Sequence, residues 1–129
     1  MTADAGPAPR PRVLLADDYP GMVKAVTRLL TLDCDVVGSV ADGEALLTEA
    51  ARLQPDVIVL DVNLPKIHGL EACRRVKQAN PTVKVVIFTA NIDPEIRQHF
   101  LDAGASAYVS KTGPDDLLSA IKRATADAR

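Results

Sequence analysis

Asp17-Asp18, Asp61, Thr89 and Ser110-Lys111 each stand directly after a short aliphatic run, at residues 13–16, 57–60, 83–88 and 107–109 respectively. Singly they have plain readings. An aspartate after a strand often caps the turn or helix that follows, and a lone lysine is usually solvated. Three carboxylates brought to one place behave differently, because their repulsion raises their pKa values or demands a compensating cation. Lys111 offers one positive charge, and a hard divalent ion with oxygen ligands would supply the rest. Mg2+ suits that set: it takes one or two carboxylates, keeps several waters and accepts phosphate oxygens. The residue types point to Mg2+ and phosphoryl chemistry, on the condition that a fold gathers them.

The alternation along the chain would do so. Runs at residues 13–16, 35–38, 57–60, 83–88 and 107–109 are β-branched or aliphatic, bounded by Gly, Pro or Asp, and read as strands. The third and fourth are almost continuously apolar, as central strands covered on both faces are. Between them apolar residues recur at helical spacing: Val23, Val26 and Leu30; Leu46, Ala50 and Leu53; Leu70, Cys73 and Val76; Ile96, Phe100 and Ala103; Leu117, Ile121 and Ala124. Pro20, Pro94 and Pro114 fit the first turn of a helix, whereas Pro55 and Pro81 close two others. Five βα repeats imply a parallel sheet with right-handed crossovers and helices on both faces, an α/β doubly wound domain. Ligands of such sheets bind beyond the carboxyl ends of the strands, which is where these polar residues fall. Only the second run ends blandly, in Ser39-Val40.

Composition removes other classes. The 129 residues make one ordinary domain, and 47% hydrophobic with 25% charged residues is a globular balance. A net charge of −2 and 3% aromatics without Trp leave neither a basic footprint nor a stacking platform for nucleic acid. No apolar run approaches a membrane span, and the first residues lack a signal-peptide layout, so a cytoplasmic location is expected. Residues 1–11, with Pro7, Pro9 and Pro11, read as a disordered leader before a domain at 12–129. Cys34 and Cys73 read as buried hydrophobes in a reducing compartment. His68 and His99 are isolated from any zinc partner and read as solvated. Nucleotide-binding glycine loops and the Gly-x-Ser-x-Gly elbow are absent. Arg74, Arg75 and Lys77 read as the wet face of a helix.

The stretches Val13-Leu14-Leu15-Ala16-Asp17-Asp18, Asp56-Val57-Ile58-Val59-Leu60-Asp61-Val62-Asn63-Leu64-Pro65 with Gly69, Phe88-Thr89-Ala90, and Gly104-Ala105-Ser106-Ala107-Tyr108-Val109-Ser110-Lys111 closely resemble the receiver domain of bacterial two-component response regulators. The match runs over about residues 12 to 126. This resemblance implies a flavodoxin-like (βα)5 fold of strand order 2-1-3-4-5, with Asp61 as the phosphorylated residue. It implies Asp17, Asp18 and Asp61, with the Asn63 backbone carbonyl, as the Mg2+ ligands. Thr89 would be the switch hydroxyl, Lys111 the phosphate-pairing cation and Tyr108 the switch aromatic, although Tyr108 also reads as an edge-strand aromatic half covering the core. Asn63 and Asn91 would flank the approach of hydrolytic water.

A sensor histidine kinase would be the donor, an output domain or partner protein the recipient, with homodimerisation on phosphorylation a further possibility. Neither nucleic acid nor membrane would touch this domain. Many receivers carry Pro after the lysine; here Thr112 stands there, followed by Gly113-Pro114, and a trans Lys111–Thr112 bond is expected. That run and Asp93-Pro94-Glu95 resemble the subfamily with LuxR-type helix-turn-helix output, hence transcription as the regulated process. The rivals are a small Mg2+-dependent phosphohydrolase, which would need a substrate pocket or cap, and a degenerate or stand-alone receiver acting as a protein-binding module without phosphorylation. A degenerate receiver normally lacks the acidic pair, the acceptor or the lysine, all present here. The chain is expected to be a signalling phosphoacceptor and not an enzyme acting on an external substrate.

Overall fold

The computed structural model describes residues 10–126. Strands β1 (Arg12–Ala16), β2 (Asp35–Val40), β3 (Val57–Leu60), β4 (Lys84–Thr89) and β5 (Ala107–Ser110) alternate with helices α1 (Pro20–Leu30), α2 (Gly43–Leu53), α3 (Gly69–Ala79), α4 (Pro94–Asp102) and α5 (Pro114–Ala126). The strands form one parallel sheet in the order β2-β1-β3-β4-β5, the doubly wound arrangement the alternation implied.

Strand side chains alternate between faces, and the core divides accordingly. Leu14, Ile58 and Ile87 point to one face, where Leu46, Cys73 and Phe100 from α2, α3 and α4 cover them. Val13, Val57 and Val86 point to the other, under Leu30 of α1 and Ile121 of α5. Every residue of β3 is buried, as is all of β1 beyond Arg12. Full burial stabilises by about 1.5–3 kcal/mol per large aliphatic side chain, so these central strands are strongly held in the core.

Several boundaries differ from the sequence reading. β2 continues through Ser39 and Val40, which pair with Leu15 and Ala16 beyond a register shift at Val13/Leu14. Val83 is not in β4; its amide turns back to the Asn80 carbonyl (3.3 Å). Thr89 and Ser110, expected just past their strands, are the last paired residues of β4 and β5. Of the expected leader, residues 1–9 lie outside the described residues. Arg10 and Pro11 are held: the Arg10 guanidinium donates to the Thr31 and Cys34 carbonyls, and the Pro11 carbonyl accepts from Asp35 N–H (2.9 Å).

Helix starts follow local chemistry. Pro20 and Pro94 occupy first turns, where a missing N–H leaves no bond unmade. Asp42 and Asp93 cap α2 and α4 by accepting the Ala45 and Glu95 amides, both at 2.8 Å. Exposed His68 caps α3, its Nδ1 accepting Leu70 N–H (3.3 Å).

Both cysteines are free and buried. Burial pushes the Cys73 thiol up from 9.0 to about 11, against the weaker pull of Lys77 and Arg74. The folded chain therefore holds this proton after the unfolded chain has released it. The associated stability is complete below the unfolded value near 9.0 and is lost as pH rises toward 11, a decline of about 2–3 kcal/mol. Urea titrations between about pH 8 and pH 10 should show a shallower alkaline decline in Cys73→Ala than in the parent. Equal slopes would assign the alkaline loss to other groups.

Candidate functional site

The carboxyl ends of β1, β3 and β5 place Asp17, Asp18, Asp61 and Lys111 together. Hydrogen bonds between adjacent chain segments carry the sheet one step past its strands: Asp17 N–H donates to Val40 (3.0 Å), Asp61 N–H to Ala16 (2.9 Å) and Lys111 N–H to Thr89 (2.9 Å). The functional side chains are therefore tied to the sheet through their own backbone amides. Oxygens of Asp17, Asp18 and Asp61 lie within 4.8 Å of one another. Asp17 and Asp61 are buried and Asp18 is exposed.

Among the described residues one cation faces this cluster. Lys111 Nζ donates to Asp17 Oδ2 at 2.8 Å and to Asp61 Oδ2 at 3.2 Å. Burial disfavours its charge, but the Asp17 hydrogen bond and the Asp61 and Asp17 charges outweigh that, holding its pKa above the ordinary lysine value. The ammonium is thus permanent at physiological pH, and the cluster is left with formal excess negative charge.

A hard cation fits what remains. Asp17 is used on both oxygens, by Lys111 and by Tyr19 N–H (2.9 Å). Asp18 and the Oδ1 of Asp61 take no hydrogen-bond partner among the described residues. These are oxygen donors with free lone pairs beside uncompensated charge, the donor set Mg2+ selects. Asn63 lies two residues after Asp61, exposed, in the loop between β3 and α3.

Thr89 is fully buried and links two neighbours: its carbonyl holds Lys111 N–H and its Oγ1 accepts Asn91 N–H (3.2 Å). The Tyr108 hydroxyl donates to the Asn91 carbonyl (2.7 Å), while its ring packs on Phe100 with centroids 6.1 Å apart. Burial, with smaller contributions from the Asp93 and Asp61 charges, raises the Tyr108 pKa. Asn91 Oδ1 accepts Asp93 N–H (2.9 Å), which leads into the α4 cap. Asn91 therefore ties Thr89, Tyr108 and α4 together, a link that sequence reasoning missed because a backbone carbonyl leaves no compositional trace. The Lys111–Thr112 bond is trans, as is every peptide bond among the described residues. After Lys111, Ser110 Oγ contacts Thr112 Oγ1 (2.7 Å) and accepts Thr112 N–H (3.1 Å).

A five-stranded doubly wound sheet carries an acidic cluster and a lysine at its carboxyl edge, and family comparison assigns the class. Residues 13–122 match the response regulator receiver domain. The chain belongs to that family, the receivers of two-component systems.

Among its relatives, the response regulator GacA of Pseudomonas viridiflava is 38% identical over 92% of this chain and 56% of its own length. The nitrate/nitrite response regulator NarL of Escherichia coli K12 is 34% identical over 88% of this chain and 54% of its own. The chain thus spans about half the length of the curated relatives it matches. A LuxR-family two-component response regulator from Aurantimonas sp. SI85-9A1 superposes with a TM-score of 0.88 at 31% identity, covering 94% of this chain and 89% of that one. The isolated receiver of RcsB from Salmonella enterica serovar Typhimurium, solved with phosphomimetic BeF3−, gives 0.83 at 27% identity over 88% and 87%. Among the described residues no helix is long and apolar enough to cross a membrane.

Proposed function

We propose that this receiver accepts a phosphoryl group on Asp61 from the phosphohistidine of a sensor kinase. The observation that carries the reading is the cluster of three carboxylates at the sheet edge, countered by the Lys111 ammonium alone among the described residues. Asp17, Asp18, Asp61 and the Asn63 carbonyl would hold Mg2+, with Asp17 also tied to Lys111 and Tyr19 N–H. An ion held there would supply charge neutralisation of carboxylate and phosphoryl oxygens, so that two anionic partners could meet.

An Asp61 oxygen would then attack phosphorus as the N–P bond breaks, and the imidazole would leave neutral, keeping the proton already carried on its other ring nitrogen. Lys111 is already within hydrogen-bond reach of Asp61 and pairs with an oxygen of the acyl phosphate. The Thr89 hydroxyl still has its proton to donate, because its oxygen is the acceptor in its bond with Asn91 N–H. Drawing Thr89 toward the new dianion disturbs the Asn91 amide and, through the Asn91 carbonyl, the Tyr108 hydroxyl. The α4–β5–α5 face shifts its population in response. That face would control an output, transcription through a DNA-binding domain being the form suggested by the relatives, in the cytoplasm and with dimerisation on phosphorylation.

The direct test is mass spectrometry after incubation with acetyl phosphate and Mg2+. One labile phosphoryl group should be gained by the parent and none by Asp61→Asn. No gain in the parent would favour an unphosphorylated binding module, and multiple turnover of external monoesters a hydrolase.

Signal lifetime gives a second expectation. Neither Asn63 nor Asn91 can act as a general base at neutral pH, so each can only orient water in line with the Asp61–phosphorus bond. Asn63→Leu and Asn91→Leu should each slow phosphoryl loss several-fold, on the order of 2–10, by obstructing that path. Decay as fast as the parent's in both would mean that water access past these residues does not set the lifetime.

A further inference from the structure

The loop that leaves the phosphoacceptor does not stand free. Its middle rests on the first turn of α2, at a glycine. An added Cβ on buried Gly43 would lie 2.5 Å from Ile67 Cβ and closer still to the Ile67 carbonyl oxygen, so no side chain fits without moving one segment or the other. Gly43 N–H donates to the Pro65 carbonyl (3.1 Å). Between these two contacts Lys66 is left-handed, with φ +69°, an uncommon conformation for a residue with a side chain. It sends its ammonium back to Asp42 (3.6 Å) and Glu44 (4.0 Å) on the same helix start. At the loop's far end, a Cβ on Gly69 would lie 2.5 Å from the Val62 carbonyl oxygen. Residues 62–69 are thereby closed on themselves and pressed against α2.

Asn63 lies inside this span, two residues before Pro65. We propose that Gly43 is a positioning residue for the phosphoacceptor loop: by lacking a side chain it lets α2 hold residues 65–67, and through them sets where the Asn63 carbonyl would meet a metal ion at the acidic cluster. Gly43 has no positive φ, so its need for glycine is one of space and not of backbone conformation. The inference rests on the reading of that cluster as a Mg2+ site. A residue that orients a ligand without touching the metal changes affinity by about 10–100-fold when altered.

The test measures how much Mg2+ raises the urea midpoint, since a ligand that binds only the folded state stabilises it according to its affinity. Three proteins are compared, each with and without saturating Mg2+: the parent, Gly43→Ala and Gly38→Ala. Gly38 is the control, because a Cβ there meets only the ends of flexible side chains, Leu53 Cδ1 at 3.2 Å and Leu14 Cδ1 at 3.5 Å. Mg2+ affinity drawn from the titrations should fall about tenfold in Gly43→Ala and stay at the parent's value in Gly38→Ala. A merely structural glycine would lower the metal-free midpoint and leave the Mg2+ gain intact, and that result overturns the proposal. If the parent itself gains nothing from Mg2+, the reading of the acidic site fails and takes the proposal with it.

A second measurement needs no variant. Coupling is reciprocal, so Mg2+ must tighten the contact that favours it. Amide exchange at Gly43 in the parent should slow several-fold on Mg2+ addition, and unchanged exchange would overturn the proposal even if Gly43→Ala failed to fold.

Discussion

Asp18→Ala is expected to weaken Mg2+ binding by about a hundredfold, the upper end of the losses seen even for residues that only orient ligands, while leaving metal-free stability within about 0.5 kcal/mol of the parent. The separation follows from what each carboxylate already does. Asp17 is committed to Tyr19 N–H and Lys111, so its removal would confound loss of metal with loss of structure. Asp61 shares Lys111 and cannot be removed without deleting the acceptor. Asp18 is exposed, takes no partner among the described residues, and contributes repulsion to the cluster in the absence of a cation. Its loss therefore costs the fold nothing and can relieve it slightly. Isothermal titration with Mg2+, paired with urea unfolding in chelator, reads both quantities. An unchanged affinity would remove Asp18 from the metal site, and a large loss of metal-free stability would show a structural role that the contacts do not reveal.

How much of this was legible in the sequence depends on whether the determinant is local. The strands of the sheet centre announce themselves because burial on both faces forces Val57-Ile58-Val59-Leu60 and Val85-Val86-Ile87-Phe88 to be apolar throughout. The helix starts are legible at Pro20, Pro94 and Pro114, where one residue's chemistry is enough. The carboxylates are legible as candidates because the strand ends locate them. Three features are not. Val83 has a strand-like side chain, and only its turn back to Asn80 keeps it out of β4. Ser39-Val40 lack a strand-like run, and only pairing with Leu15 and Ala16 makes them one. The Asn91 carbonyl under Tyr108, and Gly43 under Ile67, are contacts between segments distant in the chain, made by backbone atoms or by the absence of a side chain. Neither alters composition or periodicity, so no pattern in the sequence carries them.

Lys111→Ala tests the electrostatic half of the site. Its ammonium, 15% exposed at the side chain, bonds Asp17 and Asp61, whose side chains are each 10% exposed. Removing one partner of a well-buried ion pair costs about 3–5 kcal/mol, because the remaining charge loses compensation without regaining water. This site opens to solvent at Asp18, so a smaller loss of about 2–3 kcal/mol is expected in chelator at low salt, a large share of a stability of about 5–15 kcal/mol. Mg2+ should then restore more stability to the variant than it adds to the parent, since in the variant it also relieves the repulsion that Lys111 relieves in the parent. At 100 times its dissociation constant a ligand contributes about 2.7 kcal/mol, so the comparison lies within reach of urea titration. Lys111 also donates from its backbone to Thr89, and the alanine keeps that bond, so β5 stays anchored and the change isolates the charge. A metal-free stability equal to the parent's, or an Mg2+ gain no larger than the parent's, would mean that solvent already screens the three carboxylates. The neutralising role assigned to Lys111 would then fail, and with it the electrostatic reason for a cation at this sheet edge.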